Sequence, residues 1–170
     1  MFIRHLRLAA LLIGSMAGHS ILSAQNVESD NQELRAERGY SLASVNGEFA
    51  LVGIYGANIA RQLGLVHFKD GETSGFLRAN IPGGTGTERT IVYLTFTGTT
   101  TIADDGTGVT TVSVTFPNGS MQQFTLDLLI TKAHDSNRGK IATEIASMQR
   151  EPAAFSPGAL VIHTLTRRPD

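Results

Sequence analysis

The chain has 170 residues, no cysteine and no tryptophan, and its 14 Lys and Arg against 15 Asp and Glu leave a formal charge of −1. Lack of cysteine excludes disulfides, redox-active thiols and Cys-ligated metals. With no basic stripe either, nucleic acid is not expected as a partner.

The first 24 residues read as an export signal. Arg4, His5 and Arg7 make a basic start, an apolar run covers 8–18, and small residues lead to Ser23-Ala24. That order is the signature of a secretory signal peptide, and the run falls short of the ~20 residues needed to span a bilayer. No later stretch is long and apolar enough to cross, so no transmembrane helix is expected and the address is secreted or periplasmic. Cleavage after Ala24 is the preferred reading and cleavage after Ala17 the alternative. Losing the first 24 residues removes Arg4 and Arg7, takes the charge from −1 to −3 and leaves 146 residues, enough for one domain with a real core.

A polar leader occupies 25–45, where Asp30 and Glu33 stand at capping-box spacing before a short helix over 31–38; a disordered leader is the other reading. The folded domain, 46–170, opens at Asn46-Gly47 with a strand over 48–55. The pattern then breaks over 56–64, with a helical turn over 59–63. Strands over 65–69 and 73–81 flank Asp70-Gly71, and Pro82-Gly83-Gly84-Thr85-Gly86 makes a loop. A strand over 90–96 meets a bend or bulge at Gly98 before a second piece over 99–103. Asp104-Asp105-Gly106 separates this from a strand over 108–116, and Asn118-Gly119 separates that from 121–132. A loop over 134–139, a strand over 140–148, a loop over 150–158 and a last strand over 159–167 complete the chain. Asp-Gly and Asn-Gly suit tight hairpins because the turn needs positive φ, so the strands they join are antiparallel neighbours.

Eight or nine consecutive strands with short links predict an all-β fold, a single antiparallel up-and-down β-barrel. Closure removes the exposed edges that an open sandwich, the second choice, would keep. Phe124, Leu126, Leu128 and Ile130 alternate with Gln123, Thr125, Asp127, Leu129 and Thr131, and Thr110, Val112, Val114 and Phe116 alternate with Val109, Thr111, Ser113 and Thr115. One apolar face and one Thr-rich face is a half-buried pattern. An outer-membrane barrel would turn the apolar face outward between aromatic girdles, which the sequence lacks. Eight strands leave an interior that is either filled or able to hold one small ligand.

Few residues point to chemistry. His5 and His19 leave with the signal, and His67, His134 and His163 have no metal-ligand spacing, so no metal site is expected. No nucleophile elbow or phosphate loop occurs, and no cofactor is implied. The catalytic candidates are Glu144, midway along 140–148 with Ala142, Ala146 and Met148 on its face, and His163, midway along the last strand. If these strands pair, the two groups come close across the ladder, and a carboxyl raised by an apolar lumen can exchange a proton. The alternative puts Glu144 in solvent and makes His163 a satisfied wall residue, since one residue of register reverses both faces. Tyr55 and Tyr93 are candidate ligand-binding hydroxyls and Arg150 a candidate anion clamp, with Glu151, Arg167 and Arg168 placed at the same barrel end.

Two stretches, Ala142-Thr143-Glu144-Ile145-Ala146-Ser147-Met148-Gln149-Arg150-Glu151-Pro152 and His163-Thr164-Leu165-Thr166-Arg167-Arg168-Pro169, together with Asn46-Gly47-Glu48-Phe49, resemble small secreted bacterial β proteins. The layout is similar to allene-oxide-cyclase-like and lipocalin-like barrels. That resemblance implies a lumen holding a hydrophobic molecule and, in some members, a cyclisation guided by few polar groups. Three functions follow as expectations: a barrel that binds a small, mostly apolar ligand; a cofactor-free isomerase or cyclase with Glu144 as acid or base; and a structural or interaction barrel with a filled core. The sequence sets no oligomeric state.

Overall fold

Alternating apolar and Thr-rich positions, punctuated by glycine turns, fold here into eight strands: β1 (Gly47–Tyr55), β2 (Ala60–Lys69), β3 (Glu72–Pro82), β4 (Arg89–Ile102), β5 (Thr107–Thr115), β6 (Met121–Ser136), β7 (Gly139–Gln149) and β8 (Val161–Arg167). A four-residue helix, α1 (Leu42–Val45), precedes them. This computed structural model describes residues 39–56, 60–83, 88–137, 139–150 and 160–169. Each strand pairs antiparallel with the next, and β1 pairs with β8 to close the barrel in strict up-and-down order. The connectivity gives two unlike ends. The basal end carries the β2–β3, β4–β5 and β6–β7 turns, the start of β1 and the end of β8. Tyr55, Ala60, Pro82, Arg89, Thr115, Met121, Gln149 and Val161 ring the upper end.

The three hairpin turns form where the sequence placed them. Asp70 and Gly71 both take positive φ, 52° and 90°, in a two-residue turn, and Gly106 and Gly119 turn the next two hairpins at φ 87° and 80°. Three boundaries differ from expectation. Residues 60–63, read as part of a helical turn, begin β2, because Ala60, Arg61, Gln62 and Leu63 pair with β1 in unbroken register. Gly98 interrupts nothing: it pairs with Thr73 on one side and Val112 on the other, and β4 is one continuous strand. His134 and Asp135, read as loop, extend β6 in a ribbon paired with Ile141 and Lys140 of β7. The helix expected over 31–38 and most of the loops over 82–86 and 150–158 lie outside the described residues.

The lumen takes the apolar positions. Phe124, Leu126, Leu128 and Ile130 point in from β6 and Val112 and Val114 from β5, while Thr125, Asp127 and Leu129 point out. The outer face is not wholly polar, for Val52, Leu63, Ile91 and Ile162 are exposed on it. Among the described residues no helix is long and apolar enough to cross a membrane.

Apolar packing and one cation close the basal end. Phe49, Ile145 and Val45 are the largest fully buried side chains, and Phe49 meets Phe68 edge to face, with centroids 5.6 Å apart. Helix α1 lies within the stretch read as polar leader, started by the Ser41 N–H bonding Ser44 Oγ at 3.1 Å. Across this floor lies Arg167. Its guanidinium sits 4.7 Å from the Phe49 ring centroid and donates to the carbonyls of Ala142 (2.6 Å), Asn46 (2.7 Å) and Ser44 (3.2 Å). It thereby gives a donor to the carbonyls of a helix end and of a bulged strand. On the β3–β5 wall the hydroxyls of Thr73, Thr100 and Thr110 bond one another inside the barrel, so three buried polar groups carry no net desolvation cost.

Candidate functional site

Above that floor the barrel is hollow. A cavity of about 190 Å³ is lined by Leu51, Phe68, Leu77, Leu94, Val112, Phe124 and their neighbours. No Asp, Glu, Lys or Arg lines it among the described residues. Its size decides between ligand classes. An apolar cavity of ~150 Å³ admits benzene, while drug-sized ligands occupy roughly 300–1,000 Å³. The space therefore suits one substituted ring or a short branched chain.

Apart from Thr73 and Thr110, whose hydroxyls bond one another, the polar residues lining the cavity lie on one wall, made of β7, β8, β1 and β2. Ser147, His163, Gly53 and Gln62 stand opposite one another in successive ladders and form a single lateral row. His163 Nε2 lies 2.7 Å from Gln62 Oε1, and Nδ1 lies 3.3 Å from Ser147 Oγ. Since Gln62 Oε1 only accepts, the proton sits on Nε2, and Nδ1 accepts from the Ser147 hydroxyl. The bond to Gln62 crosses an entire strand, and Gly53 is what permits it. A Cβ at position 53 would lie 2.2 Å from His163 Cδ2 and 2.9 Å from the Ile162 carbonyl oxygen. The imidazole lies flat across the backbone of β1 because nothing projects there. Gln149 is buried on the same wall, and Tyr55 lines the cavity with a buried hydroxyl.

Burial pushes the His163 imidazole down from its ordinary 6.5 to about 4, so it is neutral at physiological pH. The unfolded chain takes up this proton near pH 6.5 and the folded chain only near 4. Stability is therefore fully present above about 6.5 and is lost as pH falls toward 4. At about 1.4 kcal/mol per pH unit the loss comes to ~3 kcal/mol over that window. Urea melts between pH 7 and 4 should show this slope in the wild type, and a His163→Phe variant should flatten it. An unchanged slope in the variant would mean that other groups carry the acid response.

A hydroxyl beside an imidazole resembles a nucleophile and its base, but acyl transfer also needs donors aimed at an oxyanion. Here the neighbouring backbone N–H groups are committed to the barrel ladders. A neutral, hydrogen-bonded row in an apolar chamber is suited to recognising one polar group of a bound molecule.

The candidate residues named from sequence separate. His163 and Tyr55 line the cavity. Glu144 does not, because Ile145, Ser147 and Gln149 are the inward residues of β7 and it alternates with them. Register shifts fall between Ile130, Lys132 and Ala133 of β6 as they pair with Ile145, Glu144 and Ala142 of β7. The irregularity lets Ala142 point inward as well as Ile145, while plain alternation with the buried Ile145, Ser147 and Gln149 leaves Glu144 on the outer face with Met148. There it accepts from Lys132 Nζ and Thr131 Oγ1, each at 2.8 Å, and these bonds hold its carboxyl below the usual range. Although β7 and β8 pair as expected, Glu144 stands opposite Thr166, and the partner of His163 is Ser147. Tyr93 is 60% exposed on the outer wall, stacked under the Arg78 guanidinium at 5.2 Å. Arg150 bonds Asp127 outside the barrel and holds that carboxyl below its usual range. Arg150 and Arg167 also occupy opposite ends, not one, because β7 runs up and β8 runs down.

Gln62, Ser147 and Gly53 escaped the sequence reading. Gln62 falls in the stretch read as a helical turn, and neither Ser147 nor Gly53 is among the sequence candidates. A glycine inside a strand often marks close approach of another group, and that was the available signal. No family model matches this chain, and no curated protein or solved structure does so either.

Proposed function

We propose that this protein holds a small, mostly apolar molecule in the lumen of its barrel, as an exported binding protein of the lipocalin-like kind. The observation that carries this reading is the cavity itself. The floor of the barrel is filled by Phe49, Ile145 and Val45, whereas the space above it is open and walled mostly by hydrocarbon. Tight packing is the norm for protein interiors, and an apolar void of this size forgoes stabilising contacts unless something fills it. Export and a secreted or periplasmic address belong to the same proposal and rest on the basic, apolar and small-residue order of the first 24 residues.

An allene-oxide-cyclase-like isomerase is less well supported, since its intended acid, Glu144, is outside the lumen and salt-bridged to Lys132. A structural barrel with a filled core does not account for the cavity. The test is native mass spectrometry of the protein purified from its source, beside a Val112→Phe variant that fills the lumen from β5. The expected result is a co-purifying small molecule on the wild type, absent from Val112→Phe and unaffected by Glu144→Gln. A ligand-free wild type that added benzene also fails to stabilise would overturn the reading.

A further inference from the structure

Resting on the lumenal reading, we infer that Gln62 is the anchor for the ligand's one polar function, and that the ligand class is an apolar molecule bearing a single neutral oxygen group, a hydroxyl or a carbonyl. The argument starts from unused hydrogen-bonding capacity. Gln62 is buried and lines the cavity. Its Oε1 is taken by His163 Nε2 at 2.7 Å, which fixes the amide on a side chain that borders the open space. Among the described residues no protein group accepts from that –NH₂, yet the nitrogen is not sealed away from the cavity. The amide donors therefore border a chamber walled on β3–β6 by hydrocarbon apart from the mutually bonded Thr73 and Thr110, and buried donors of this kind find a partner in nearly all proteins.

The site also says what is refused. No Lys or Arg lines the cavity among the described residues, and His163 is held neutral between Gln62 and Ser147. An ionised carboxylate entering here would shed its hydration without meeting a cation, and an ammonium would meet no carboxylate; the penalty is several kcal/mol for either ion. A neutral oxygen can accept from Gln62 without that penalty, and the opposite wall can cover the rest of the molecule. The row Ser147–His163–Gln62 acts as a brace: Ser147 orients the imidazole, and the imidazole orients the amide. Gly53 is the gap through which the brace passes.

Three probes of matched shape test this: toluene, p-cresol and p-toluate, titrated at pH 7 against wild type, Gln62→Met and Val112→Phe, with affinities from thermal shifts and from NMR of the side-chain amides. From water, p-cresol starts at a disadvantage to toluene, because a buried hydroxyl without a partner costs on the order of tenfold or more in affinity. The expected result is that wild type binds p-cresol at least as tightly as toluene, and that Gln62→Met weakens p-cresol by about tenfold while sparing toluene. The Gln62 amide resonances should shift with p-cresol and not with toluene, a readout in the wild type that survives if Gln62→Met fails to fold. Val112→Phe should weaken both. If toluene and p-cresol bind and p-cresol is tenfold the weaker, or if Gln62→Met leaves their ratio unchanged, the anchor is overturned while the lumenal reading stands. Binding of p-toluate as tight as that of p-cresol would overturn the neutral-oxygen class. If none of the three binds, the lumenal reading fails and this inference with it.

Discussion

Replacing Gly53 by alanine should destabilise the barrel by about 4 kcal/mol, an effect out of proportion to one methyl group. Two terms add. The new Cβ would lie 2.2 Å from His163 Cδ2 and 2.9 Å from the Ile162 carbonyl oxygen, so the imidazole must lift off β1. Overpacking of this sort costs roughly 1–3 kcal/mol. Once lifted, the ring can no longer reach Gln62 across the strand, and a buried N–H and a buried amide oxygen lose their partner, each loss costing ~1–3 kcal/mol. A double-mutant cycle separates this mechanism from a plain backbone effect. In a His163→Ala background the clash with the imidazole is gone and the Ile162 carbonyl remains, and the cost of Gly53→Ala should fall by at least about 2 kcal/mol. Equal costs in both backgrounds would show that the imidazole does not depend on the gap.

The second large effect is expected at Arg167. Its guanidinium joins three carbonyls, from α1, from the start of β1 and from β7, and covers the Phe49 ring. Arg167→Ala leaves those carbonyls without their donor and uncovers the floor, for a loss of about 4 kcal/mol. Arg167→Met keeps most of the aliphatic stem and should recover only the packing part. Arg167→Lys should recover little more, because a compact ammonium cannot span three acceptors that a planar fork reaches together. Denaturant midpoints measure the losses, and hydrogen exchange locates them: amides of Leu42–Val45 should lose protection before those of β4 and β5. A loss under about 1 kcal/mol with α1 still protected would mean that apolar packing alone closes the base.

Much of the fold was legible because it depends on local chemistry. Asp70-Gly71, Gly106 and Gly119 select their turns by backbone sterics alone, and a hairpin dictates its own antiparallel partner. The face assignments of β5 and β6 followed from period-two alternation for the same reason. The misread segments are those where pairing outweighs local signal. Residues 60–63 become strand because β1 and β3 both offer them ladder bonds, and Gly98 stays in register because β3 and β5 hold it from either side.

The site was the least legible part. His163 and Tyr55 were named from sequence and do line the cavity, whereas Glu144 alternates with the inward Ile145, Ser147 and Gln149 and faces out, a parity that the sequence leaves open. Gln62 and Ser147 could not be joined to His163 from sequence, since residues 62 and 163 meet only after β1 has closed against both β2 and β8.

By itself, then, the sequence determined the three glycine turns, the antiparallel order and the apolar faces of β5 and β6, because each is settled within a few neighbouring residues, while the count stayed at eight or nine strands. Tertiary structure alone decided that the barrel is hollow above Phe49, that Glu144 faces out, and that Gln62 and Ser147 bracket His163 over Gly53. The reason is closure. Which side chains share the lumen, and how much space they leave, depends on the register of all eight strands at once, and no short stretch of chain encodes that sum.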